Sequence, residues 1–238
     1  MSASAIAAKG NVSLLQPKRP YPVPRSLSLS EITEIVEAYR RGAENAQRAG
    51  FDGIELHGAN GYLLDQFLQD GGNRRDDAYG GPIENRARLM LEAVDATVSV
   101  FGAGRVGLHI APRGDAHDMG DSDLLATFTY VARAARERGL AFLCAREHAG
   151  DDSIGPVLKA AFGGVYIVNE GFDAAGAEAV LAAGEADAVA FGKLFISNPD
   201  LPERLRTGAP LSPWRAETFY SGGAEGYTDY PTLALSPA

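Results

Sequence analysis

The sequence is short of the features that mark secreted and membrane proteins. Its 238 residues include one cysteine, Cys144, so an intramolecular disulfide is excluded and a reducing, cytoplasmic location is expected. No uninterrupted apolar run approaches the ~20 residues that a bilayer-spanning helix needs. Residues 1–9 lack the basic start and long apolar core of a secretory signal. We therefore expect no membrane partner.

Positive charge is scarce as well. Lys and Arg number 22 against 31 for Asp and Glu, which gives a formal net charge of −9, and no basic stripe is present. Because nucleic-acid binding depends on clustered cations, a nucleic-acid partner is not expected. Apolar residues, in contrast, are plentiful. The hydrophobic fraction of 45% is enough to bury a sizeable core in one domain or in a large part of one.

Short apolar runs alternate along the chain with longer segments of helical spacing. The runs are apolar on both faces, as in strands of a parallel sheet that is covered on both sides. They predict five strands, at residues 51–56, 106–111, 140–144, 164–168 and 186–191. Helices are predicted at residues 29–49, 83–101, 122–138, 174–183 and 202–206. Ser30, with Glu34 after it, is the predicted start of the first helix.

An α/β chain of this kind can form an open doubly wound sheet or part of a closed barrel. No G-x-G-x-x-G motif follows the first strand. A polar and aromatic cluster at residues 57–62 follows it instead, at the strand end where barrel enzymes place their chemistry. The sequence therefore predicts a (β/α)8 barrel of which about the last five βα units are present. We expect one partial-barrel domain over residues 1–238, with a loop at 1–28 and a C-terminal segment at 207–238.

The cluster contains His57, Asn60 and Tyr62. His57 and Asn60 lie three residues apart just past a strand, so two donors could converge on one carbonyl or carboxylate oxygen, with a phenolic proton from Tyr62 nearby. The same spacing is equally compatible with a structural role. In that alternative His57 and Asn60 cap the next helix, and the Tyr62 hydroxyl bonds a backbone carbonyl.

A second polar group follows the last two predicted strands. Asn169, Glu170 and Gly171 come after one strand, and Gly192 and Lys193 come after the next. Glycine permits a close backbone approach and lysine offers a point charge, which suits a phosphate at the mouth of a barrel. Taken alone, these residues are more typical of ordinary turns with a solvated lysine than of a phosphate site.

No metal site is predicted. Paired aspartates such as Asp121 and Asp123 lack a full ligand set at fixed spacing, so we expect solvated loop carboxylates. His117 and His148 have no Cys or His partner at metal spacing and are expected on the surface. Cys144 ends a strand and is expected to be a small buried side chain.

Several segments resemble Old Yellow Enzyme flavin reductases, in the order in which that family has them. Residues 57–68, HGANGYLLDQFL, resemble its H-x-A-N-G-Y-L-L-x-Q-F-L motif. The resemblance continues through NRRDDAYGGPIENRAR at 73–88, AFGKLFISNPDL at 190–201 and GAEGYTDYP at 223–231. It covers the chain from Ser4 almost to its C-terminal end.

This resemblance implies a barrel that holds non-covalent FMN, which is reduced by NADH or NADPH. Hydride from flavin N5 would go to an activated C=C bond of an enone, maleimide or nitroalkene, and Tyr62 would supply the proton. His57, Asn60 and Tyr227 would line the substrate site. For Tyr227, a packed aromatic side chain in the C-terminal segment is an equally good interpretation. His109, Asn169, Glu170, Gly171, Gly192 and Lys193 would bind the cofactor.

The sequence departs from the family in four places. The family's first three strands, which supply much of the flavin surface, have no counterpart in this chain. His109 stands where the family usually has an arginine facing the flavin, and histidine is only partly charged at neutral pH. Asp76 and Pro82 stand where threonine and serine are usual. We therefore expect association with a second copy or a complementing chain; the alternative function is a flavin-poor homologue without catalysis.

Overall fold

The fold is described from a computed structural model that covers residues 1–12, 15, 17–114, 116–148, 150–220 and 222–233. Its N-terminal segment is not entirely loop, because β1 (Asn11–Val12) and β2 (Arg19–Pro20) form a short antiparallel pair. The first helix, α1 (Leu29–Arg48), begins where it was predicted, but the serine at its start is not the predicted Ser30. Its cap is Ser28, whose hydroxyl accepts from the Glu31 N–H while the Glu31 side chain accepts from the Ser28 N–H.

The rest of the chain alternates strands and helices. In order these are β3 (Ile54–Gly58), α2 (Leu63–Leu68), α3 (Ile83–Arg86), α4 (Arg88–Phe101), β4 (Val106–Ile110), α5 (Leu124–Glu137), β5 (Phe142–Arg146), α6 (Gly155–Phe162), β6 (Val165–Asn169), α7 (Ala174–Ala182), β7 (Ala188–Ala190), α8 (Lys193–Ser197) and α9 (Leu201–Thr207). All five predicted strands are confirmed. The helix predicted at 83–101 is divided at Ala87, and α6 was missed because its Gly-Pro start is typical of a turn.

The strands pair in parallel in the order β3-β4-β5-β6-β7. The register aligns Leu56, Leu108, Leu143 and Tyr166 across four strands, and all four are buried. This face of the sheet packs against the outer helices. The core between them contains the buried side chains Leu89, Met90, Val94, Phe128, Val131, Leu158 and Phe162.

The opposite face of the sheet, which we call the inner face, is open. Glu55 and His57 of β3 are exposed, and His109, Arg146 and Asn169 are half-buried. In the described part of the chain, β3 and β7 each pair with a strand on one side only. A parallel sheet is normally covered on both faces, so this arrangement agrees with the predicted partial barrel and its two free edges. No helix among the described residues combines the length and hydropathy needed to cross a bilayer.

Candidate active site

Most of the predicted site residues, with Tyr227 as the exception, lie at the carboxyl edge of the sheet. His57 of β3 is the register partner of His109 of β4, which in turn pairs with Cys144 of β5. Two residues further along the same face, Arg146 pairs with Asn169 of β6. One edge therefore gathers residues that are distant in sequence.

The turn after β3 is held in a tight conformation. Asn60 has a φ of 58° and Gly61 a φ of 71°, and a Cβ at Gly61 would lie 2.5 Å from the Ala116 carbonyl oxygen. The buried Asp65 carboxylate accepts from the Gly61 N–H at 2.8 Å and from Gln69 Nε2 at 2.7 Å. Burial outweighs these bonds and raises the pKa of Asp65 to about 6.

A row of rings surrounds Tyr62. The ring centroid of Tyr62 lies 5.4 Å from that of His57 and 5.3 Å from that of His117, and His117 contacts Tyr21 at 5.7 Å. His117 Nδ1 also lies 2.8 Å from the Asn60 carbonyl oxygen. His117 is therefore a half-buried part of the site and not the surface residue that was expected. No sequence spacing pointed to it, because it comes from a loop more than 50 residues away.

The fold does not support the alternative in which His57 and Asn60 cap the next helix. Tyr62 occupies the N-cap position of α2 without a side-chain cap bond, so neither His57 nor Asn60 caps that helix. The Tyr62 side chain is 55% exposed. Asn60 Oδ1 instead accepts a hydrogen bond from Arg146 Nη1 at 2.8 Å.

Arg146, which the sequence analysis did not single out, links the two ends of the site. Besides Asn60, its guanidinium donates to Glu170 Oε1 at 2.9 Å and forms a second ion-pair contact to that carboxylate through Nε. His148 Nε2 lies 3.4 Å from Glu170 Oε1. Glu170 is in the left-handed region with a φ of 99°, next to Gly171 at 80°.

His109 is a neutral group. Burial, together with the nearby His57 and Arg146, lowers its pKa to about 4. Its Nε2 atom is buried and has no hydrogen-bond partner in the described structure. Its ring contacts that of His57 edge to face at 5.2 Å. Burial also lowers the pKa of His57. The sequence predicted a partial positive charge at His109, and this charge is absent near neutral pH.

The remaining predicted cofactor residues lie at the ends of β6 and β7. Asn169 Nδ2 donates to the Ala190 carbonyl at 2.7 Å and so joins these two strands. Gly192 precedes α8, and a Cβ atom at this position would have no other described atom within 4 Å. Lys193 is exposed, and its Nζ lies 5.2 Å from the Trp214 ring centroid.

Tyr227 lies apart from this group in its contacts. It is 48% exposed in the C-terminal segment, and its backbone N–H donates to the Ala224 carbonyl at 3.0 Å. Among the ring contacts of the described chain, none joins Tyr227 to His57 or Tyr62. Its predicted place in the substrate site stays a prediction.

A buried ion pair anchors the loop beside the site. Asp121 has a fully buried side chain that forms an ion pair with Arg86 and accepts from Thr127 Oγ1 at 3.0 Å. Burial alone would raise the pKa of Asp121, but hydrogen bonds from the Asp70 and Asp123 N–H groups and from Arg86 lower it. The expectation of a solvated carboxylate is therefore wrong for Asp121.

A cavity of about 320 Å³ is lined in part by Tyr62. Its lining residues come from the N-terminal segment, from the turn after β3 with α2, and from the loop that contains His117. They include Ser2, Ile6, Tyr21, Tyr62, Gln66, His117 and Met119. His57 faces a different groove of about 600 Å³ between α1 and β3. That groove is mostly apolar and includes Ile35, Tyr39, Phe51 and Leu56.

Comparison with known proteins identifies close relatives. A model of the family described as NADH:flavin oxidoreductase / NADH oxidase matches residues 2–212. A protein named putative 12-oxophytodienoate reductase 10, from Oryza sativa subsp. japonica, is 43% identical over 224 residues, which are 88% of this chain and 71% of the relative. A probable flavin mononucleotide-dependent alkene reductase of Leishmania infantum is 42% identical over 221 residues, or 90% of this chain and 60% of that protein.

Solved structures give the same picture. Morphinone reductase in complex with tetrahydroNAD superposes with a TM-score of 0.92 at 43% identity, over 100% of this chain and 68% of that one. An old yellow enzyme homologue from Zymomonas mobilis has a TM-score of 0.94 at 37% identity, over 98% and 68%. The chain spans 60% to 71% of the two curated relatives above. The five-stranded sheet is therefore part of a (β/α)8 barrel.

Proposed function

The chain belongs to the NADH:flavin oxidoreductase / NADH oxidase family, and on this premise we propose that it is an FMN-dependent reductase of activated C=C bonds that uses NADH or NADPH. Enones, maleimides and nitroalkenes are the proposed substrate class, and the cytoplasm is the proposed location. One observation carries the proposal: Arg146 occupies the acceptor oxygen of Asn60. The amide N–H donors of Asn60 are thereby left for a ligand, beside the exposed His57 and Tyr62.

The substrate's activating oxygen is the group that these donors would hold. A neutral His57 has one ring N–H and Asn60 has two amide N–H donors. Negative charge develops on the carbonyl or nitro oxygen as the double bond is reduced, and donors already aimed at that oxygen stabilise it. A fixed Asn60 would spend little energy on reorganisation during the reaction.

Tyr62 would supply the proton at the α-carbon. Its hydroxyl belongs to a half-exposed ring that is held on two sides by His57 and His117. After the transfer, the phenolate would regain a proton from solvent, which the exposure of the ring allows. When bound, FMN would supply the hydride after its own reduction by the nicotinamide nucleotide.

The residues that would hold FMN fit that group. A phosphate could approach the backbone at Gly192, which has open space around it, and at Gly171, which has a left-handed conformation. Lys193 follows Gly192 and is an exposed cation. Arg146 places a permanent positive charge on the inner face, where His109 is neutral. Asn169 and Glu170 would shape this end by their bonds to Ala190 and Arg146.

Quenching of FMN fluorescence by flavin-free protein tests this assignment. We expect saturable binding of one FMN per chain and roughly 10-fold weaker binding by Lys193→Ala, since a charge-assisted phosphate contact contributes about 1.5–3 kcal/mol. Lys18→Ala removes another exposed lysine and serves as the matched control. Equal affinities of Lys193→Ala and the unaltered protein would refute the assignment of Lys193 to the phosphate.

A second candidate function is that of a flavin-poor homologue that folds by association. The open inner face and the apolar groove beside the free edge of β3 favour it. This candidate predicts no saturable FMN binding, together with a mass in solution above that of one 25.1 kDa chain. We propose such association, with a second copy or a complementing chain, for the FMN-binding form as well, because the same edge is exposed in both.

A further inference from the structure

Three metal-ligating side chains meet on the inner face below the carboxyl edge. Glu55, His109 and Cys144 come from β3, β4 and β5, and each offers a ligand atom within 4.8 Å of the others. His109 and Cys144 are direct register partners, and Glu55 lies one step back along the same face. Three neighbouring strands therefore aim a carboxylate, an imidazole and a thiol at one point.

Hydrogen bonding does not explain this convergence. In the described part of the chain, no hydrogen bond or ion pair involves the side chain of any of the three residues. Among the described residues, the buried Nε2 atom of His109 has no hydrogen-bond partner. A buried polar atom without a partner costs about 1–3 kcal/mol, so its retention beside two further ligand atoms points to a ligand that binds all three.

From this geometry we propose that Glu55, His109 and Cys144 form a binding site for Zn²⁺. Thiolate sulfur, imidazole nitrogen and carboxylate oxygen are the ligand types that zinc takes in proteins. Three protein ligands leave the fourth tetrahedral position open, as in catalytic zinc sites, and here that position would face the open inner face. The site goes beyond the proposed reductase function, and because His109 is also one of the predicted cofactor-binding residues, the metal is expected to bind in the flavin-free protein.

The dimensions of the site suit a small cation after modest adjustment. Zinc bonds of about 2.0–2.3 Å place the ligand atoms of a tetrahedral site about 3.4–3.6 Å apart. The ligand atoms, which lie within 4.8 Å of one another, would therefore close in by at most about 1.4 Å, and the exposed Glu55 side chain can supply this movement. Cys144 is only 4% exposed. On the neighbouring strand the Phe142 ring covers Gly107, because a Cβ atom at Gly107 would lie 2.2 Å from that ring.

Binding would change the protonation of one ligand. Burial and the Glu55 charge raise the pKa of Cys144 to about 12, so the metal-free thiol is protonated. Formation of the metal–sulfur bond would release that proton to solvent. Neutral His109 is already in the form that binds metal. No electron transfer is involved.

Titration of flavin-free protein with Co²⁺, used as a spectroscopic probe for the zinc site, tests this proposal. Because Cys144 is the sole cysteine, a thiolate-to-cobalt charge-transfer band in the near ultraviolet can arise from that residue alone. We expect such a band at one equivalent of Co²⁺, with its loss on addition of Zn²⁺. Absence of the band at millimolar Co²⁺ would overturn the proposal, whether or not the protein binds FMN.

Variants assign the ligands. Cys144→Ser should abolish the band, and Glu55→Gln and His109→Ala should each weaken Co²⁺ binding by more than the ~10–100-fold that loss of an outer-shell partner costs. His148→Ala, which alters an exposed histidine, is the control and should bind Co²⁺ unchanged. A band that persists in both Glu55→Gln and His109→Ala would overturn the three-ligand site. Zn²⁺ competition against a chromophoric chelator repeats the test for any variant whose circular dichroism matches that of the unaltered protein.

Discussion

Arg146 Nη1 lies 2.8 Å from Asn60 Oδ1, and this bond fixes which side of the Asn60 amide faces a ligand. The two residues are 86 positions apart and come from β5 and from the turn after β3. Because the same guanidinium also pairs with Glu170 at the end of β6, it ties the proposed substrate end to the proposed cofactor end. Arg146 is therefore a positioning residue for Asn60.

Replacing Arg146 should impair alkene reduction through Asn60. Arg146→Met leaves the amide free to rotate, so we expect kcat/KM for 2-cyclohexenone to fall about 10-fold or more, in line with the loss of one charged hydrogen bond of about 1.5–3 kcal/mol. Steady-state kinetics with added FMN measures this. In an Asn60→Ala background the same change should add little, and full additivity would contradict the positioning role. Arg133→Met, on an exposed face of α5, is the control.

Removal of the Tyr62 hydroxyl should separate the two half-reactions. Tyr62→Phe keeps the ring contacts with His57 and His117 but removes the proton donor, so alkene reduction should slow by roughly 100-fold or more. Reduction of bound flavin by NADPH should be unchanged, and stopped-flow absorbance follows each step separately. Tyr220→Phe alters a tyrosine that is 84% exposed and should affect neither step. Equal slowing of both steps in Tyr62→Phe would exclude its role as proton donor.

The free energy of unfolding should depend on pH through Asp65, whose carboxylate binds the turn after β3. Its pKa is about 6 in the folded protein against 3.8 normally, so the unfolded chain ionises first and stability is lost as pH rises from about 4 to about 6. Asp65→Asn does not titrate, and its amide can donate to the unpartnered Gln69 Oε1. Relative to the unaltered protein it should gain about 2–2.5 kcal/mol between pH 4 and pH 7, at about 1.4 kcal/mol per pKa unit, because part of the effect is already present at pH 4.

Urea unfolding near pH 4 and near pH 7 measures this gain. The exposed Asp52→Asn is the matched control, for which the difference should not change with pH. A free-energy difference for Asp65→Asn that is the same at both pH values would show that the buried carboxylate is not the cause.

The ion pair between Arg86 and Asp121 should be essential for stability. Arg86→Met would leave the fully buried Asp121 carboxylate without its cation and should cost about 3–5 kcal/mol. The solvent-exposed pair of Arg206 and Glu203 gives the contrast, and Arg206→Met should cost less than about 1 kcal/mol. Urea denaturation of both variants decides the point, and similar losses would contradict the buried pair's role.

The sequence predicts the β/α order and most of the helix bounds well, and the strand bounds and the cap of the first helix less well. Leu108 and Leu143 each lie in a short run of apolar residues whose side chains are buried. Their strands are therefore recognisable from composition alone. Ser30 was predicted to open α1, but the cap is Ser28, and only the reciprocal bonds between Ser28 and Glu31 in the structure distinguish the two serines.

The site shows a similar division. His57, Asn60 and Tyr62 form one short segment, so their proximity follows from the sequence. Arg146, His117 and Cys144 join them only through strand register and loop packing, which no local pattern encodes. The meeting of Cys144 with Glu55 and His109 likewise depends on the pairing of three strands, and for that reason no metal site was predicted.

One anaerobic spectroscopic experiment tests the proposed function most directly. The purified chain is mixed with one equivalent of FMN, reduced with NADPH, and then mixed with 2-cyclohexenone while the flavin absorbance is followed. The proposed reductase predicts that the flavin band is bleached by the nucleotide and restored by the enone, with saturated cyclohexanone as the product. A protein-bound flavin that stays reduced after the enone is added, or a chain that binds no FMN, would contradict it.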